Sequence, residues 1–147
     1  MIKLSPEKTE FVISTTSLSA HYDESGNVLL AVDTQRLENH DNGTYVKTHL
    51  NFRNVAELRC ITLNFYESHH RNHEIHGADQ GDLLHWKNTG HHPDPKIYQV
   101  LDSAWLIEKT PIYDPARFLK LKHYLIAGYD SYVELLAGSY TYAYQDR

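Results

Sequence analysis

Apolar and polar side chains alternate strictly after Gly43, with Val46, Thr48, Leu50 and Phe52 on one side and Tyr45, Lys47, His49 and Asn51 on the other. Only an extended backbone sends successive side chains to opposite faces, so this stretch demands a half-buried antiparallel strand and excludes an amphipathic helix. The rhythm recurs along the chain. Phe11, Ile13 and Thr15 alternate with Val12, Ser14 and Thr16 in a β-branched run, and Val28, Leu30 and Val32 share one face. Ile61, Leu63 and Phe65 form the apolar side of residues 58–66, residues 123–129 and 132–137 flank a turn at Asp130-Ser131, and Tyr140, Tyr142 and Tyr144 alternate with smaller residues. Turn chemistry punctuates these runs: residues 23–27 (DESGN) read as a turn, and Asp41-Asn42-Gly43 reads as a tight hairpin, since Asn-Gly accepts positive φ.

The middle of the chain is broken by Gly77, Gly81, Gly90, Pro93 and Pro95. Leu83 to Trp86 read as a short strand within it. Residues 97–108 fit either a helix opened by Asp94-Pro95 or an extended edge with Trp105 turned inward, and Asp114-Pro115 is expected to cap one or two helical turns through Phe118. The expectation is a mostly β fold, α+β at most: an antiparallel sandwich or curled barrel of about seven or eight strands with one or two short helices. With 147 residues the chain is read as one domain, residues 1–147, carrying an irregular histidine-rich segment at 67–95.

That segment holds seven of the eleven histidines, and it supplies −3 of the formal charge of −5, because Arg71 and Lys87 stand against Glu67, Glu74, Asp79, Asp82 and Asp94. An acidic surface repels nucleic acid and membrane headgroups and suits a basic partner. No apolar run approaches the roughly 20 residues of a membrane helix, the N-terminal stretch does not read as a signal peptide, and Cys60 is the one cysteine, which together point to the cytoplasm.

Three stretches, FRNVAELR (Phe52 to Arg59), DSAWL (Asp102 to Leu106) and KHYLIAGYDSYVELLA (Lys122 to Ala137), resemble recurring signatures of small uncharacterised bacterial proteins. Some proteins of that character are immunity proteins bound to the toxin of a neighbouring gene. The resemblance implies a bacterial, cytosolic, β-rich chain and carries no catalytic residues.

Three kinds of chemistry are open to the residues. If residues 69–76 were helical, His69 and His73 would share a face; if extended, His70, Glu74 and His76 would, and His85, His91 or His92 could complete a zinc or other divalent transition-metal site. The sequence HEIHG is not HExxH, so the metalloprotease arrangement is missing. His49 and His123 lie on expected strands as solvent-exposed side chains, and the small basic group Arg117, Lys120 and Lys122 does not make a nucleic-acid surface. Cys60 is expected to be a buried small hydrophobe, and no G-x-S-x-G elbow or glycine-rich phosphate loop is present.

The eleven tyrosines outnumber the four phenylalanines, and a large ring with a polar tip suits an interface. Tyr124 and Tyr132 are expected in the core, with Tyr129 and Tyr140 to Tyr144 open to either role. The reading is therefore a protein-binding module, more a binder than an enzyme, in the manner of an immunity protein facing a basic toxin domain. Its partner-binding candidates are Glu67, Glu74, Asp79 and Asp82, then Tyr129, Asp130 and Glu134. The alternative is a metal-dependent enzyme or metal-binding protein using His69, His70, His73, His76 and His85, and a third is self-association through the C-terminal tyrosine strand.

Overall fold

The computed structural model describes residues 1–77 and 82–145, without the side chain of Asp82. Among the described residues there are eleven strands and four helices: β1 (Ile2–Pro6), β2 (Val12–Ile13), β3 (Ser19–Tyr22), β4 (Val28–Gln35), α1 (Leu37–Asn42), β5 (Val46–Arg53), β6 (Glu57–Ile61), α2 (Phe65–Ser68), β7 (His73–Ile75), α3 (Asp82–Thr89), β8 (Ile97–Leu101), α4 (Ala104–Tyr113), β9 (Lys122–Ala127), β10 (Tyr132–Ala137) and β11 (Ser139–Tyr144). The fold is mostly β, as the alternation demands. None of the helices among the described residues is long and apolar enough to cross a membrane.

Two sheets face one another. The larger has the order β6-β10-β9-β8-β1-β7, and the smaller β11-β5-β4-β2 with β3 also paired to β4. All pairings are antiparallel except β1 with β7. Between the sheets, Val28, Leu30, Val32, Leu50 and Phe52 from the smaller meet Ile97, Tyr124, Ile126, Val133 and Leu135 from the larger in one buried cluster. A second cluster covers the outer face of the larger sheet, where Leu4, Tyr98, Val100, Leu125 and Tyr132 pack under Phe65 of α2, with Tyr66 and Ile75 alongside. Both faces of β9 are thus buried, which is why its sequence reads as a nearly continuous apolar run rather than an alternation.

Several local expectations give way to tertiary context. Asp41-Asn42-Gly43 does sit between paired antiparallel strands, β4 and β5, but the link is α1, which Gly43 ends at φ +65 as a left-handed cap. Leu83 to Trp86 lie on the helix α3, not a strand, and Trp86 anchors it by donating its indole N–H to the Glu10 carbonyl at 2.9 Å. The ambiguous stretch divides: β8 is extended, and α4 starts at Ala104 behind its cap Ser103, not at Asp94-Pro95. Asp114 ends α4 instead of starting a helix, and its carboxylate accepts from the backbone N–H groups of Leu119 (3.1 Å) and Lys120 (3.0 Å). Regular pairing in β6 stops at Ile61, so Phe65 reaches the outer core from a helix and not from the strand.

Candidate functional site

A cleft of about 420 Å³ opens where β2, the three helices α1 to α3 and the β9–β10 turn converge. Its walls are Val12 to Thr15, Gln35 and His40, Asn64 and Tyr66, Leu83 and Trp86, His92 and Lys96, and Ala127 to Tyr129. That volume is in the range of small-molecule pockets. The turn above it is tied down from three directions. Tyr129 donates its backbone N–H to the Thr15 carbonyl at 3.0 Å, its own carbonyl accepts from Asn64 Nδ2 at 2.5 Å, and its hydroxyl bonds Ser14 Oγ at 2.7 Å. Asn64 also caps α2, accepting the Glu67 backbone N–H at 3.0 Å. One side chain therefore joins the start of α2 to the β9–β10 turn, and Glu67, Tyr129 and Asp130, distant in sequence, come to one face with all three exposed.

The lining residues Tyr66, His92 and Lys96 belong to a polar chain that continues outside the cleft through Asp94 and Tyr98. Lys96 Nζ reaches Asp94 Oδ2 at 2.9 Å and lies 4.8 Å from the centre of the Tyr66 ring. Tyr98 donates its hydroxyl to the other Asp94 oxygen and lies 2.8 Å from the Tyr66 hydroxyl. The Asp94 backbone N–H donates to His92 Nδ1 at 2.9 Å, which places any neutral-ring proton on Nε2. Burial by itself would lower Lys96, but Tyr66 and Asp94 outweigh it and hold the ammonium above the ordinary lysine value. Burial raises Tyr66, and burial with the neighbouring Tyr66 and Asp94 raises Tyr98, so both hydroxyls keep their protons.

The other partner-binding candidates are dispersed. Glu74 is exposed on β7, an edge strand of the larger sheet. Asp79 lies outside the described residues, as does the side chain of Asp82, whose backbone opens α3. Glu134 does not join a rim: its carboxylate accepts from His123 Nε2 at 3.0 Å and is only 17% exposed.

Of the metal candidates, His69 ends α2 and packs on Phe65 at 4.7 Å between ring centres, while His73 donates from Nδ1 to the His69 carbonyl at 2.8 Å. His70 and His76 are exposed, and His85 is half-buried on α3. His76, His85, His91 and His92 line a second hollow of about 330 Å³. Among the described residues no three His, Cys, Asp or Glu side chains are grouped so as to hold a metal ion.

His123 and Cys60 are corrections. His123 is buried at 6% exposure, because β9 is covered on both faces; Cys60 is exposed on β6, an edge strand. With a neutral His123 ring, Ser103 donates its hydroxyl to Nδ1 at 2.7 Å while accepting the Leu106 N–H at 3.1 Å, so the cap of α4 continues through His123 to Glu134. At this relay Trp105 packs on His123 in a T-shaped arrangement at 5.0 Å, and Arg59 stacks over the Trp105 ring at 3.6 Å. Tyr124 and Tyr132 are in the core, and Tyr140 stacks on Phe52 at 5.1 Å. Lys96, Tyr66 and Trp86 escaped the sequence reading; the signal that pointed to their region was the break in periodicity around them.

Protein-family models, curated proteins and solved structures were all compared with this chain, and none matches.

Proposed function

We propose that this chain is a protein-binding module whose contact face is built from the start of α2 and the β9–β10 turn, with Tyr129 as anchor and Glu67 and Asp130 as charged rim. The observation that carries this reading is Tyr129 itself, 57% exposed and yet held by Thr15, Asn64 and Ser14. A large ring already immobilised in solvent gives up little conformational freedom when a partner covers it, and such residues dominate binding energy at interfaces. Leu63, 59% exposed immediately before Asn64, extends the apolar part of the face. Two carboxylates at its edge suit a basic partner and speed encounter with it. The finer reading, that the partner is a basic toxin domain and the chain a cytoplasmic immunity protein, rests on the sequence resemblance.

Affinity capture from cells of the source organism tests the proposal, using the wild-type chain beside a Tyr129→Ala, Asp130→Lys variant. One protein should be retained by the wild type, released as ionic strength rises, and missing from the variant. Equal retention by both, or no retained protein, contradicts it.

A further inference from the structure

We propose that the 420 Å³ cleft beneath Tyr129 binds a small organic carboxylate, with Lys96 receiving the anion and Ile13, Leu83 and Trp86 holding its apolar body. Three observations converge on this. The chain carries a formal charge of −5, yet no acidic residue is among the described residues that line the cleft, and Lys96 is the cation there. The lining thus carries one lysine and no carboxylate, with the Asp94 carboxylate that pairs with Lys96 lying just outside it.

Second, Lys96 is held at φ +67, one of six described non-glycine residues in the left-handed region and the one of them that lines the cleft. Such backbone is kept only where the surroundings over-determine it, and it recurs at ligand clamps. Here the Lys96 carbonyl is fixed by the Ala127 N–H at 2.9 Å, and both residues line the cleft. Third, the ammonium is positioned from behind. Asp94 takes one of its N–H groups at 2.9 Å, and the ammonium lies 4.8 Å from the centre of the Tyr66 ring, which holds it beside the cleft. A single lysine without an arginine fits a singly charged carboxylate better than a phosphate, which gathers several donors in a fork geometry. The aliphatic and indole walls call for an apolar body, aromatic or branched. The inference needs no protein partner, so its failure would leave the partner-binding proposal standing.

Two tryptophans make the test direct, since Trp86 lines the cleft and Trp105 is packed on His123 in the separate relay. Their indole N–H resonances are followed in ¹⁵N-labelled protein during titration with phenylacetate, indole-3-acetate and hexanoate, each beside its primary amide. At least one acid should shift the Trp86 signal saturably while Trp105 stays in place, and its amide should bind about tenfold more weakly for want of a charge-assisted hydrogen bond. In Lys96→Gln the acid and the amide should bind alike. The proposal is overturned if no acid moves Trp86, if the amides bind as well as the acids, or if Trp105 responds equally. The acid-to-amide comparison uses the unaltered protein, so it decides the matter even where Lys96→Gln does not fold.

Discussion

Ser103 serves two structural purposes with one oxygen: it caps α4 by accepting the Leu106 N–H and donates to a buried imidazole whose far side is held by Glu134. Ser103→Ala removes the cap, which costs about 1 kcal/mol, and leaves His123 Nδ1 buried without its donor, which costs about 1–3 kcal/mol more. Urea denaturation of this variant should show a loss of about 2–4 kcal/mol, with Ser103→Thr losing much less because it keeps the hydroxyl. Asn64 plays the comparable part on the proposed binding face, where it caps α2 and holds the Tyr129 carbonyl. Asn64→Ala should weaken partner capture while the exposed Tyr129 ring is still present, since the ring then has to be ordered on binding. These linkages were not legible in the sequence. Nothing in the spacing of Asn64 and Tyr129, or of Ser103, His123 and Glu134, marks them as neighbours; only strand order and helix placement bring them together.

The strands were the legible elements, and the reason is physical. β5 alternates because one of its faces meets Ile97, Tyr124 and Ile126 while the other meets solvent, and β10 spans residues 132–137, the bounds its flanking turn residues predict. Reading failed where burial is two-sided or where a helix is too short for a period to emerge. α2 has four residues and α1 six, so neither displays a full amphipathic stripe. The histidine segment shows the same limit: His69 ends α2, His73 lies on β7 and His85 on α3, while His76, His85, His91 and His92 line one hollow, an arrangement that composition does not reveal. At the junction of the two sheets, Gly138 lets the chain pass from β10 to β11 in a single residue. A Cβ placed there would lie 2.7 Å from the Leu119 carbonyl oxygen, which is backbone and cannot turn aside. Gly138→Ala should therefore destabilise the fold by about 1–3 kcal/mol. Gly128→Ala, whose closest approach is 3.3 Å, should cost less, and thermal denaturation of the two variants ranks them.

Over the whole molecule the tyrosines set the alkaline limit. Burial raises Tyr66, Tyr98, Tyr132, Tyr140, Tyr142 and Tyr144, and it pushes Tyr124 up to about 12. A phenol whose pKa is raised by folding ionises first in the unfolded chain. Its stabilising contribution is therefore complete below the ordinary tyrosine pKa of about 10 and is lost as the pH climbs from there through the folded value. Tyrosinate absorbance should accordingly rise in two stages, the second coinciding with loss of β-sheet circular dichroism; a single stage near the ordinary pKa with the fold intact would contradict the burial. The central claim concerns where the molecule makes contact. A photoreactive phenylalanine analogue placed at Leu63, beside the anchored Tyr129, or at Tyr22 on β3 of the other sheet, compares two sites of similar exposure, 59% and 61%. Irradiation in cells of the source organism should give one crosslinked partner from position 63 and none from position 22. Crosslinking from position 22 alone, or from neither, would place the function elsewhere on the molecule.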